Sequence, residues 1–210
     1  MCSLLACERD CDRVRPMNAL NLRVATPSDD DQIREVVRAA FGDEGETIVR
    51  ILGDLEIGGL TRASIVAEAD GQIVGHVGLS HAWLDTRQGP RDVWLLSPLS
   101  TVPSRERQGI GTALIAQALT FAEAGGVPLV FLEGSPDFYG ARGFESAAAL
   151  GFRPPSLRIP KAAFQVAVLP AWDEAVGTLV YPDVWWRHGA VGLQDPLLAD
   201  QEERYGSWHE

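Results

Sequence analysis

The stretch "RERQGIGTALIAQAL", Arg105 to Leu119, decides how this chain is read. Two glycines, Gly109 and Gly111, stand in a turn directly before a strongly apolar helical pattern. Leu114, Ala118 and Phe121 share one face with Ile115 and Ala122 beside them, and Gly125-Gly126 ends a helix predicted from about Gly111 to Ala124. Upstream, "DVWLLSPLSTV" is apolar on both faces, as a central strand is, and "PLVFL" downstream is a second buried strand. Strand, helix, strand in this order predicts a right-handed parallel crossover. A strand leading through glycines into a helix presents unpartnered N–H groups at the positive helix end, where glycine lets an anion approach the main chain. The turn therefore suits a diphosphate-bearing ligand, although a tight turn with no ligand would read the same way. Two rival phosphate loops are excluded. G-x-G-x-x-G needs glycine where the chain has Leu114, and G-x-x-x-x-G-K-[ST] needs its lysine, whereas Lys161 is the only lysine present.

Outward from this centre, "LRVATPSDDDQIREVVRAAFG" predicts a strand, a stop and a helix. Thr26 or Ser28 caps it, Pro27 enters the first turn, and Ile33, Val36, Val37 and Ala40 form one stripe. "DEGETIVRILGDLEIGG" predicts a second, shorter helix. "SIVAEADGQIVGHVGLSHAWLD" is a hairpin about Asp70-Gly71. Pro98 removes one ladder hydrogen bond from the central strand, which is expected to bulge or part from its neighbour there. "SPDFYGARGF" predicts a short helix between Ser135 and Gly143, and "AAFQVAVL" with "AVGTLVY" a late antiparallel pair. The resulting order is mixed α/β, with a sheet antiparallel at its ends and parallel around the glycine turn. The divisions are a loose extension over 1–17, one domain over 18–193, and a polar, loose tail over 194–210. Met17 is an alternative start.

The chain has 210 residues, 46% hydrophobic and 22% charged, enough apolar matter for one real core. A net charge of -11 argues against nucleic acid as a partner. No apolar run approaches the roughly 18–20 residues that span a bilayer, so neither a nucleic-acid nor a membrane partner is expected, and the chain is read as soluble and cytoplasmic. Cys2, Cys7 and Cys11 crowd one end without a histidine nearby, which makes neither a disulfide framework nor a zinc site, and no metal is expected.

"RERQGIGTALIAQAL" after an apolar strand, then "FYGARGF" about thirty residues on, resembles the GNAT superfamily of acyl-CoA N-acyltransferases. Together "LSPLSTVP", "LVFLEGSPDFYGARGF" and the late "GTLVYPDVW" are closer still to the N-acetyltransferases of the YhbS type, over about residues 20–186. The resemblance implies a GNAT-like fold: a central mixed sheet, flanked by helices and splayed between its fourth and fifth strands, with acetyl-CoA as cosubstrate in the splay. It implies that the main chain of Leu99, Ser100 and Thr101 pairs with the pantetheine arm. The amides of Arg107, Gln108, Gly109, Ile110, Gly111 and Thr112 would hold the pyrophosphate. The family motif usually begins with arginine or glutamine where this chain has Glu106; backbone amides carry the contact, and Arg105 and Arg107 flank it. The implied reaction is acetyl transfer to a primary amine, small-molecule or peptide, by direct attack in a ternary complex. The alternatives are a non-catalytic acyl-CoA-binding sensor and transfer of a longer acyl group. A homodimer through the late strands is a further option.

An amine with a pKa near 10.4 must lose its proton before attack, and the thiolate must gain one. A main-chain N–H near Leu99 can polarise the carbonyl. By resemblance, Tyr139 is the general acid at the sulfur. For the base, Val93 to Val102 offers no carboxylate. Glu133 ranks first, where the neighbouring strand meets the cleft; Asp137, His76, His81 and a water relay stay open. "GLSHA" fails as a serine-hydrolase elbow because Ala82 replaces its glycine. Trp83, Trp94, Trp172, Trp185 and Trp186 read as core or interface aromatics, with Trp185 a candidate wall of the acceptor pocket. Asp29 to Asp31, Asp43, Glu44 and Glu46 border the first helices. They suit either a cationic acceptor or helix capping and a solvated face.

Overall fold

A computed structural model describes residues 20–208. The three cysteines and the predicted N-terminal extension lie outside the described residues. One sheet carries the fold, ordered β1-β2-β3-β4-β5-β7-β6 with β8 on β3. Its first strands are β1 (Asn21–Val24), β2 (Thr61–Ala69), β3 (Gln72–Thr86) and β4 (Gly89–Thr101). They are followed by β5 (Leu129–Glu133), β6 (Glu145–Ser146), β7 (Phe164–Val168) and β8 (Gly177–Val180). Every pairing is antiparallel except β4 with β5.

The apolar run of β4 is explained by its two coated faces. Trp94 and Leu96 join the core under helix α3 (Ile110–Ala124), with Leu114, Ile115 and Ala118. Val93 and Leu95 join the opposite core, with Ile51 and Leu55 of helix α2 (Gly45–Ile57). Helix α1 (Asp30–Phe41) lays Ile33, Val36 and Val37 on that same side against Val66 and Ile73. Each such side chain contributes about 1.5–3 kcal/mol through burial. Asp29 does not serve the helix dipole alone: its carboxylate accepts from Arg23 at 2.6 and 2.9 Å and from the Thr26 amide at 2.7 Å, tying β1 to α1.

Pro98 does what its missing N–H requires. Ser97 and Pro98 stand opposite the single residue Gly78, a bulge flanked by Leu96↔Leu79 and Leu99↔Val77. A Cβ on Gly78 would lie 2.9 Å from the Ser97 carbonyl oxygen, so the bulge depends on that glycine. The β4–β5 ladder runs only through Trp94↔Val130 and Leu95↔Phe131. Beyond it the two strands diverge, which is the expected splay between strands four and five.

Two expectations need correction. β8 does not pair with β7; it pairs with β3 through Trp83↔Val180 to Thr86↔Gly177. The reason lies in strand length. β3 pairs with β2 only as far as Ser80↔Thr61, so its remaining edge is open, and β8 closes it. Nor does the segment after Gln194 run loose. Helix α6 spans Leu197–Tyr205, and the Trp208 indole donates to the Ile159 carbonyl at 2.6 Å while its ring lies 6.2 Å from Phe164. A further short helix, α5 (Asp183–Arg187), buries Val184 and Trp185.

Candidate active site

The end of β4, the glycine turn and the start of α3 form the wall of a cleft of about 710 Å3. After Thr101 the Val102 amide still bonds the Val74 carbonyl at 2.9 Å, and a 3-10 turn over Pro103–Arg105 leaves the sheet. The backbone then turns sharply: Glu106 is extended at φ -61°, and Arg107 and Gly109 are left-handed at φ 59° and 85°. A tight turn of this kind can gather main-chain amides into an anion-binding concavity. It opens onto the first turn of α3, whose N–H groups have no partners within the helix. The space in front of Gly109 is empty to 4 Å, while a Cβ on Gly75 would lie 2.8 Å from Ile110 Cγ2. Gly109 thus serves the turn, and Gly75 lets the helix start settle on the sheet.

Leu99, Ser100, Thr101, Arg107, Gly109, Ile110, Gly111 and Thr112 all line this cleft. Gln108 does not; its side-chain amide turns back to the Ser104 carbonyl at 3.3 Å. Glu106 is in the wall, facing a cleft that Arg105, Arg107 and Arg142 also line. The sequence reading missed Phe41, at the end of α1, and Arg142. The latter donates to Thr112 Oγ1 at 2.9 Å and to the Phe138 carbonyl, and its guanidinium lies 3.8 Å over the Phe138 ring. It stands inside "FYGARGF", so the motif contained the signal, but nothing in the motif says that arginine clamps helix α4 (Pro136–Tyr139) onto the phosphate-type turn.

Tyr139 reaches the same cleft from α4. A Cβ on Gly134 would lie 2.3 Å from Tyr139 Cε2, so this glycine is what lets the ring lie against the end of β5. Phe138 and Phe144 meet the ring edge-on, with centroids 4.9 and 5.7 Å away. Burial pushes the hydroxyl pKa up, and the nearby Arg142 charge opposes this in part.

Glu133 ends β5 at the splay and lines a second cavity, of about 140 Å3. Leu95, Leu96 and Ser97 of β4 form one wall, running into the bulge that precedes Leu99 and the larger cleft. Trp185 and Tyr181 also line the small cavity. The Gly192 amide donates to Glu133 Oε2 at 3.1 Å, and the Tyr181 hydroxyl donates to the carboxylate as well. A Cβ on Gly192 would collide with the Arg158 backbone at 2.5 Å, which fixes that residue as glycine. Burial raises the Glu133 pKa to about 7, against the lowering effects of the Tyr181 and Gly192 hydrogen bonds and of Arg158. Tyr181 in turn is pushed well above its ordinary value by burial and by Glu133. A carboxyl poised near neutrality is suited to accept and release a proton at physiological pH.

The other candidate bases stand elsewhere. Asp137 is exposed on the first turn of α4. His81 is bonded to Asp92 at 2.5 Å, and His76, buried and lowered to about 4 by burial, is bonded to Ser64 at 2.9 Å. None of the three lines either cavity. Nor do Asp43, Glu44 and Glu46; Glu46 is held by Arg38 at 2.9 Å. Among the described residues no cluster of three metal-ligating side chains is present, and no helix is long and apolar enough to cross a membrane.

Known proteins share this fold. The fold superposes with a TM-score of 0.76 on the GNAT family N-acetyltransferase YhbS of Escherichia coli in complex with CoA, at 26% identity over 86% of this chain and 99% of that one. A GNAT family acetyltransferase of Brucella melitensis in complex with acetyl-CoA gives 0.64, at 25% identity over 80% of this chain and 98% of the other. In sequence, the chain is 28% identical over 140 residues to the uncharacterized N-acetyltransferase YjhQ of Escherichia coli strain K12, covering 66% of this chain and 76% of that protein. The family profile described as the acetyltransferase (GNAT) domain matches residues 21–147, a segment that contains the whole wall of the larger cleft, and the chain therefore belongs to the GNAT acetyltransferase family.

Proposed function

We propose that this protein transfers an acetyl group from acetyl-CoA to a primary amine by direct attack within a ternary complex. The observation that carries the reading is Glu133: a carboxyl held near pKa 7 in a small apolar cavity, at the point where β5 leaves β4. The residues present fit the cosubstrate. An empty-fronted Gly109 at φ 85°, the turn amides before α3, three arginines and a cleft of about 710 Å3 suit a diphosphate with a long arm. Bound acetyl-CoA supplies the thioester carbonyl as electrophile and a thiol as leaving group.

The chain's residues divide the work around it. Glu133 takes a proton from the acceptor ammonium, leaving a neutral amine nitrogen able to attack. The β4 edge freed at the splay offers main-chain N–H groups near Leu99 to the carbonyl oxygen. Tyr139, whose raised pKa keeps its hydroxyl protonated at neutrality, gives that proton to the departing sulfur as the C–S bond breaks. The new C–N bond and the free thiol are in place once the nitrogen has released its second proton to solvent, and transfer of the Glu133 proton to the Tyr139 phenolate through solvent restores both residues. Arg142 links the two halves, holding Phe138 beside Tyr139 and bonding Thr112 in the turn.

The test begins with melting temperature. Acetyl-CoA at about 100 times its dissociation constant stabilises the fold by about 2.7 kcal/mol, a shift that NAD should not reproduce. Glu133→Gln and Tyr139→Phe should then each lower kcat about 100- to 10,000-fold in a free-thiol assay, with the acetyl-CoA melting shift retained. Retained turnover in Glu133→Gln would remove Glu133 as the base. A chain that binds acetyl-CoA but releases thiol with no amine would be an acyl-CoA-binding sensor instead.

A further inference from the structure

Glu133 lines two cavities, of about 140 and 240 Å3, and the smaller, walled by Leu95, Leu96 and Ser97 of β4 at the splay, is the one that bears on the acceptor. Its volume of about 140 Å3 is close to that of an engineered apolar protein cavity of about 150 Å3 that takes up benzene. A body of about six heavy atoms fills such a space. The walls are Ile48, Leu95, Leu96, Leu132, Ala190 and the Trp185 indole. Among the described residues that line it, Glu133 is the single carboxyl, and the Tyr181 hydroxyl is already committed to it.

These features bear on charge as well as size. One ammonium can be met by Glu133 and discharged there. A second cationic group carried into the cavity would meet aliphatic side chains and the Trp185 indole, with no second carboxylate among the lining residues, which is disfavoured. Arg158, whose positive charge acts on Glu133, opposes a second cation further. The acidic residues Asp43, Glu44 and Glu46, which a polycation would need, do not reach the cavity.

Resting on the amine-transfer reading above, we infer that the acceptor is a compact primary amine whose non-reacting part is apolar, uncharged and about six heavy atoms or fewer. Diamines, polyamines and basic peptides fall outside this class. The alkyl body sits against Ile48, Leu95 and Leu132 while the nitrogen lies at the Glu133 carboxyl, and Ser97 marks the side from which the thioester is met.

The experiment compares pentylamine with putrescine, two amines of equal length that differ only in a terminal methyl against a terminal ammonium. The full chain is assayed by thiol release from acetyl-CoA. Pentylamine is expected to exceed putrescine in kcat/KM by about tenfold or more. Ile48→Ala, which enlarges the cavity, should raise kcat/KM for the bulkier phenethylamine relative to pentylamine by about tenfold. Equal use of the two linear amines, or preference for putrescine, overturns this inference while leaving amine transfer intact; so does an Ile48→Ala variant that keeps its acetyl-CoA melting shift and an unchanged size preference. The wild-type comparison decides the charge argument even if that variant fails to fold. No thiol release with any of the three amines, with the acetyl-CoA melting shift present, overturns the proposed function itself.

Discussion

Removing the hydroxyl of Tyr181 tests whether Glu133 is tuned as its surroundings imply. In Tyr181→Phe the ring that fills the core is retained, and the hydrogen bond donated to the carboxylate is lost. That bond favours the charged form, so its loss must raise the Glu133 pKa above its present value of about 7. A hydrogen bond to a charged group contributes about 1.5–3 kcal/mol. At about 1.4 kcal/mol per pH unit this sets a ceiling of about two units. The Gly192 amide stays in place and continues to hold the charge, which makes a shift of about one unit the expected result.

The assay is kcat/KM for thiol release, in variant and parent, from about pH 6 to about pH 9. The ratio of the two is the useful quantity, because titration of the amine substrate cancels in it. With the pKa moved from about 7 to about 8, the ratio should be about one tenth near pH 6, about one fifth near pH 7, and near unity at about pH 9. Alkaline rescue distinguishes a tuning role from packing. A ratio that stays flat across this range, or falls as pH rises, would refute the assignment of Glu133 as the group that takes the amine's proton.

Three other outcomes follow from the same geometry. Gly109→Ala puts a Cβ on a residue at φ 85°; it should cost about 1–2 kcal/mol in chemical denaturation and shrink the acetyl-CoA melting shift, since the turn amides move with it. Gly75→Val should reduce both stability and acetyl-CoA affinity, because its first carbon already lies 2.8 Å from Ile110 in the first turn of α3. In Asp29→Asn the ion pair with Arg23 is broken, at a cost of about 2–3 kcal/mol near neutrality. The pairing with Arg23 holds the Asp29 carboxyl far below its ordinary value of 3.8, so its stabilisation is complete above that value and fades as pH falls below it. Denaturation curves of Asp29→Asn and the parent should therefore converge in strong acid.

The larger cleft was legible because its construction needs particular residues. A backbone that must turn to φ 85° and leave open space in front of itself has essentially one solution, and Gly109 is visible as a letter. Pro98 is legible for a similar reason, since a missing N–H must interrupt a ladder. The small cavity at Glu133 could not be read this way. Ile48 comes from α2, Leu95 and Leu96 from β4, and Tyr181, Trp185 and Ala190 from beyond β8; apart from Trp185, which the sequence offered as a pocket wall, each reads as ordinary core where it stands. The pairing of β8 was hidden because it depends on where β2 runs out along β3, a property of three segments together. Helix α6 was hidden because its surface is polar, whereas the contact that fixes the segment is Trp208 on Ile159, beyond the helix end.

This difference in legibility coincides with a division of labour in the fold. The segment matched by the family profile, residues 21–147, holds every residue lining the larger cleft together with Glu133 and Tyr139. Tyr181, Trp185, Ala190 and the Gly192 amide lie beyond it, yet they complete the small cavity and bond the Glu133 carboxylate. A carboxylate at the end of β5 exposed to water would titrate near the ordinary value of 4.5 and give little assistance as a base near neutrality. Burial by the late segment raises it, and on the proposed reading the same segment narrows the space in which an amine approaches. On the proposed reading, substitutions at Trp185 and Ala190 should therefore alter acceptor choice and the pH profile together. Substitutions in the glycine turn should alter acetyl-CoA affinity and leave both unchanged.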